Sequence, residues 1–190
     1  SGSHYREGQS ILPTQNAYLK FDGVDDYINI GSESALKPTE ELTVEMWVNP
    51  DSSQNDYADI GGGHQNNQGY VIQQNAANAN QYYFAYMMTN GGWSPNTLTT
   101  TLTANSWQHF VITVRFGSLV THYLNGASTG TESQTLGIYY SSSEPMHIGH
   151  GFNTSRCWSG KLAVYKIYNR ALSATEILNN YNSQKARFGK

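Results

Sequence analysis

A single cysteine, Cys157, rules out an internal disulfide in this 190-residue chain. No His/Cys cluster at ligand spacing surrounds it, so it reads as a small side chain in or near the core. No apolar run approaches the length that a membrane-spanning helix needs. Charge is scarce. Only 13% of residues are Asp, Glu, Lys or Arg, and the formal net charge is -3. That leaves no positive footprint for nucleic acid. A secretory signal is missing too, and Ser1-Gly2-Ser3-His4 looks like a cloning remnant, so the first residues carry no address.

What the chain has instead is tyrosine, 14 of them, within an aromatic share of 13%. Asn, Gln, Ser, Thr and Gly fill most of the remaining non-core positions. Such a surface hydrogen-bonds and stacks without strong charge, which suits neutral sugars. β-Proteins are themselves rich in Tyr and Thr, so composition leaves both readings open.

The clearest local signal is Leu42–Pro50. Leu42, Val44, Met46 and Val48 alternate with Thr43, Glu45, Trp47 and Asn49, the pattern of a strand with one buried face. Pro50 ends it, because proline cannot donate to a ladder. The second face, with a carboxylate, an indole and an amide, is expected to look toward a ligand. Phe110, Ile112, Val114 and Phe116 form the core face of a second strong strand. Shorter strands are expected at 17–21, 27–30, 70–74, 82–88, 98–102, 119–124, 146–149 and 161–168. Asp22–Asp26 and Asn125-Gly126 read as turns. The one good helix begins at Ser173-Ala174-Thr175-Glu176, a capping box in which serine and glutamate satisfy each other's backbone amides. Roughly eleven to thirteen short strands with turn residues between them predict an all-β, antiparallel sandwich with a short C-terminal helix. Residues 1–15 read as a flexible lead-in, 16–186 as a single domain and 187–190 as a loose tail.

Several segments, taken in order, resemble the laminin-G-like, concanavalin-A-like lectin/glucanase jelly-roll superfamily. They are Ala17–Ile28, Leu42–Pro50, Trp107–Phe110, Tyr123–Gly126, Ile148-Gly149, Gly160–Leu162 and Tyr168–Ile177. The resemblance implies two curved sheets of about six strands, with ligands on the concave face or on loops at one rim, sometimes at a calcium ion. Trp47 and Trp107 fall at framework positions of that family. The family's last strand often carries two adjacent acids, where this chain has Ala163 and Val164. The fold hosts lectins, carbohydrate modules, glycosidases and adhesion domains, so it does not decide function.

Glycoside hydrolysis needs two carboxyl groups about 5–10 Å apart. The strand 42–49 offers Glu45 alone. Glu41 lies too far along the strand, and Asp59 would have to come from elsewhere. No Gly-x-Ser-x-Gly elbow occurs. The sequence therefore favours a non-catalytic module that binds a glycan or polysaccharide. The expected contacts are Trp93, Tyr82, Tyr86, Tyr70, Gln73, His64, His150, Arg156 and Trp158: flat rings for the apolar faces of sugars, amides and cations for their hydroxyls. Asp22, Asp25 and Asp26 share one turn and are the candidate calcium ligands, since calcium takes six to eight oxygens. The alternatives are a protein–protein adhesion or assembly domain and, last, a glycosidase. The expected setting is a larger surface or virion protein, outside the cell, with no membrane span and no nucleic-acid partner.

Overall fold

The computed structural model describes residues 17–63, 68–141, 144–151 and 154–190. Twelve strands among them form two six-stranded sheets. The first sheet contains β1 (Leu19–Asp22), β3 (Glu41–Pro50), β8 (Gln108–Arg115), β9 (Leu119–Leu124), β10 (Ala127–Ser133) and β12 (Ser159–Tyr168). Their order is β1-β12-β3-β8-β9-β10. The second contains β2 (Ile28–Gly31), β4 (Asp59–Gly62), β5 (Tyr70–Gln74), β6 (Gln81–Tyr86), β7 (Thr99–Thr101) and β11 (Met146–Ile148). They run in the order β2-β11-β4-β5-β6-β7. Every pairing is antiparallel, the arrangement expected of a jelly-roll sandwich.

Alternation decides what fills the space between the sheets. Leu42, Val44, Met46 and Val48 of β3 and Phe110, Ile112 and Val114 of β8 point inward from the first sheet. Ile60, Tyr70, Ile72, Tyr82, Phe84 and Tyr86 meet them from the second. Asn125 and Gly126 both have positive φ, 51° and 84°, and join β9 to β10 in two residues. Such a turn twists with the strands it connects, and only residues tolerant of left-handed backbone fit it.

Helix α1 (Ala174–Gln184) begins at the expected capping box: Ser173 accepts from the Glu176 amide and Glu176 bonds back to Ser173. It lies on the outer face of the first sheet, with Ile177 buried against Val111, Tyr123 and Leu172. A 3₁₀ turn, Lys185–Phe188, follows. The tail is therefore not loose. Phe188 is buried and its ring stacks on Trp47 at 4.0 Å, because an aromatic surface on β3 is there to receive it.

Candidate glycan-binding face

The outer face of β3 is closed. Glu45 and Trp47 are both fully buried under the C-terminal segment. Glu45 accepts from His109 Nε2 (3.1 Å), Tyr168 Oη (2.7 Å) and Asn180 Nδ2 (3.0 Å), with Lys166 Nζ at 3.7 Å. Burial would raise the Glu45 carboxyl, but the His109 and Tyr168 hydrogen bonds and the lysine charge outweigh it and hold the group below its ordinary range. The polar alternation read as a ligand face instead forms the seat of α1. Asp59 follows core-facing Ala58 and precedes core-facing Ile60, on the outer side of the opposite sheet. Packed sheets stand about 10 Å apart, so carboxylates outside opposite sheets cannot flank one glycosidic bond.

Four of the expected contact residues are core. Tyr70, Tyr82 and Tyr86 occupy the inward positions of β5 and β6, and Trp158 is fully buried where β12 begins. The polar atoms of three of them are used internally. Trp158 Nε1 donates to Tyr82 Oη at 2.9 Å, and Tyr86 Oη to the Leu136 carbonyl at 2.6 Å. These rings cannot reach a sugar. His64 lies outside the described residues.

The others meet on the outer face of the second sheet. Gln73 on β5 is directly opposite Tyr83 on β6, and the Tyr83 hydroxyl donates to Gln73 Oε1. Gln73 also pairs with Asp59 on β4. Burial pushes the Asp59 carboxyl well above the usual carboxylate range, against the neighbouring Gln73 amide and Arg156 guanidinium. Burial, then the Asp59 charge, pushes the Tyr83 hydroxyl up to about 12. Arg156 lies over the exposed ring of Tyr57, 5.1 Å from its centroid. Gly151 passes so close to Asp59 that an added Cβ would sit 1.3 Å from Oδ2, so any other residue there would displace the Asp59 carboxylate. Beside it His150 and His147 lie 5.7 Å apart, under the exposed ring of Tyr27 at 5.1 and 5.5 Å. Burial lowers both imidazoles. At the far end of the face, Trp93 pairs across from Met87 and is 38% exposed.

The face thus has a buried polar floor (Asp59, Gln73, Tyr83, His150) and a rim of half-buried Arg156 and exposed Tyr57, Tyr27 and Trp93. Of the residues expected from sequence, Gln73, His150, Arg156 and Trp93 lie on this face; Tyr27, Tyr57, Tyr83 and His147, not among those expected, lie there too. The outward position of Tyr83, between inward Tyr82 and Phe84, was the signal available.

Asp22, Asp25 and Asp26 are exposed and offer carboxylate oxygens all within 4.8 Å of one another. Asp22 Oδ1 accepts from the Val24 amide (2.8 Å) and Asp26 Oδ2 from the Asp22 amide (3.0 Å). The donor set is the hard, all-oxygen kind that calcium prefers. The turn is tied to the same rim: Asn55 Nδ2 donates to the Gly23 and Cys157 carbonyls. Ala163 and Val164, by contrast, line an apolar cleft of about 330 Å³ with Tyr18, Leu19, Ile28 and Ile148. Nothing there resembles an ion site.

The chain belongs to the concanavalin A-like lectin/glucanases superfamily, whose match runs over residues 22–178. No curated protein matches it. Solved structures share the fold. The binding domain of Paraclostridial Mosquitocidal Protein 1 is 21% identical with a TM-score of 0.71, over 87% of this chain and 43% of that one. The chain therefore spans less than half of that toxin domain. A Ruminococcus gnavus sialidase CBM40 bound to α2,3 sialyllactose is 11% identical, TM-score 0.69, over 86% of this chain and 96% of that one. Domain 4 of a Geobacillus stearothermophilus extracellular arabinanase, in complex with arabinotriose, is 15% identical, TM-score 0.68, over 85% and 75%. At these identities the likeness is one of fold. Among the described residues no helix is long and apolar enough to cross a membrane.

Proposed function

We propose that this chain is a non-catalytic carbohydrate-binding module, part of a larger protein displayed outside the cell or on a virion. The observation that carries the reading is the convergence of Gln73, His150 and Arg156, from distant parts of the sequence, on one sheet face that also presents Trp93. The buried floor holds the rim in place. Arg156 and backbone groups hydrogen-bond hydroxyls, while Trp93, Tyr57 and Tyr27 offer rings to sugar C–H faces. Two of the fold relatives were solved with oligosaccharides bound, which supports the same class of ligand. Affinity for a short glycan is modest, because displaced water recovers much of each hydrogen bond. Calcium is the candidate ion; Asp22, Asp25 and Asp26 would hold it and it would stiffen the adjoining rim.

A glycan-array screen of the domain, with and without calcium, beside Trp93→Ala and Arg156→Ala, tests this. The reading expects one glycan class bound by the parent and weakened in both variants. A blank array from folded protein would overturn it. That result would favour a protein-docking role, for which the exposed Tyr18 and Leu19 beside the apolar cleft are the supporting observation.

A further inference from the structure

Met87 lies in a short extended segment with neighbours on both sides. On one side it bridges to Trp93; on the other its carbonyl accepts from the Tyr139 amide at 2.8 Å. Inward Tyr86 and the next outward residue, Met87, continue the alternation of β6, and Trp93 leaves the same face as its partner. Met88, one residue on, bridges to buried Ile138, so Tyr139 also points outward. The two rings therefore stand on the same face, one strand on either side of Met87. Both are open to solvent, Trp93 at 38% and Tyr139 at 52%.

Adjacent strands are spaced about 4.8 Å, which puts the two rings on the order of 10 Å apart. That is too wide for two rings to stack on each other, and it sets them side by side along the face. A small cleft of about 200 Å³, lined by Met87, Met88, Thr89, Gly91 and Tyr139, opens beside Tyr139. The backbone beneath is clamped: the Met88 amide donates to Gly92 (2.8 Å), Gly91 to Met88 (2.9 Å) and Thr89 to Gly137 (3.0 Å). Residues 89–96 and 136–140 contain no charged side chain.

Resting on the glycan reading, we propose that Trp93 and Tyr139 form a stacking platform for successive units of a neutral oligosaccharide chain. A ligand with two or more linked rings uses both aromatics; a single sugar uses one. An acidic glycan gains nothing from this end of the face.

Calorimetry with arabino-, xylo- and cello-oligosaccharides of one to six units, and with sialyllactose, tests the platform. The expected result is one neutral series whose affinity rises from monomer to trimer. Tyr139→Ala loses roughly five- to tenfold on the trimer and little on the monomer, the scale of one aromatic contact. Tyr139→Phe keeps the affinity. If a neutral series binds but Tyr139→Ala binds the trimer as well as the parent does, the platform is overturned and the glycan reading stands. Binding of sialyllactose alone also overturns it. If no member of the series and no arrayed glycan binds, both fall together.

Discussion

The rings of Trp47 and Phe188 lie 4.0 Å apart and within 16° of parallel, joining β3 to a turn 141 residues later in the chain. Tyr181 adds a second ring on Trp47 at 5.9 Å. The C-terminal segment is thereby a structural cover for the first sheet. Phe188→Ala removes a buried ring and leaves Trp47 partly uncovered. It is expected to lower stability by about 3 kcal/mol. Urea unfolding should show a lower midpoint at nearly unchanged slope. A midpoint equal to the parent's would mean that the cover is not held by this contact.

Glu45 is the polar half of the same seat. Glu45→Ala leaves His109, Tyr168 and Asn180 without their shared acceptor and is expected to cost about 3 kcal/mol, as losing one partner of a buried charged network does. The acid limb should change as well. The folded carboxyl titrates below its ordinary value of 4.5, so its contribution is present above that pH and fades as pH falls through the lower, folded value. Denaturation curves between neutral pH and pH 3 should be less acid-sensitive in the variant.

His122 gives a separate acid response. It is buried on β9, and its Nδ1 lies 3.0 Å from Thr100 Oγ1 on β7, linking the two sheets at one edge. Burial pushes the imidazole down to about 3 from 6.5. The folded state therefore binds the proton less readily than the unfolded state. Stability is full above about pH 6.5 and falls by about 1.4 kcal/mol per pH unit from there toward pH 3. His147 and His150, also lowered, act in the same direction. His122→Asn should flatten the slope measured between pH 5.5 and 4 by close to one proton. An unchanged slope would contradict the assignment.

The acidic turn calls for a binding measurement. Asp22 and Asp26 also shape the turn through backbone hydrogen bonds, so Asp25→Asn is the cleaner variant. Calcium should raise the melting temperature of the parent, chelator should reverse the rise, and Asp25→Asn should abolish it. A calcium-insensitive melting curve would remove the ion from the account.

Much of the fold was legible because it is local. The alternation in Leu42–Asn49, the Asn125-Gly126 turn and the Ser173–Glu176 capping box each declare themselves within a few residues. Two short-range signals were silent. The strand Ala127–Ser133 has no apolar side, because it is an exposed edge. Asp59–Gly62 ends in glycines and is not among the strands expected from sequence. The site was only half legible for a different reason. Period two groups Tyr82, Phe84 and Tyr86 on one face but does not say which face is covered. That depends on the opposing sheet and on α1, which arrives from 130 residues away on Glu45. Trp158 sits in a loop-like sequence, yet its indole finds Tyr82 in the core. Gln73, Arg156 and His150 were recognisable as polar groups beside glycines and aromatics; only the pairing of β11 with β4, of β4 with β5 and the Asp59–Cys157 bridge brings them together.

The most direct test of the central claim is an amide NMR titration of the ¹⁵N-labelled domain with the glycan it binds best on the array. The account predicts that perturbed resonances cluster on the outer face of the second sheet, at Gln73, Tyr83, Trp93, Tyr139, His150 and Arg156, and spare the α1 side around Lys166 and Asn180. Perturbations confined to the α1 side, or to the cleft between Tyr18 and Val164, would contradict it.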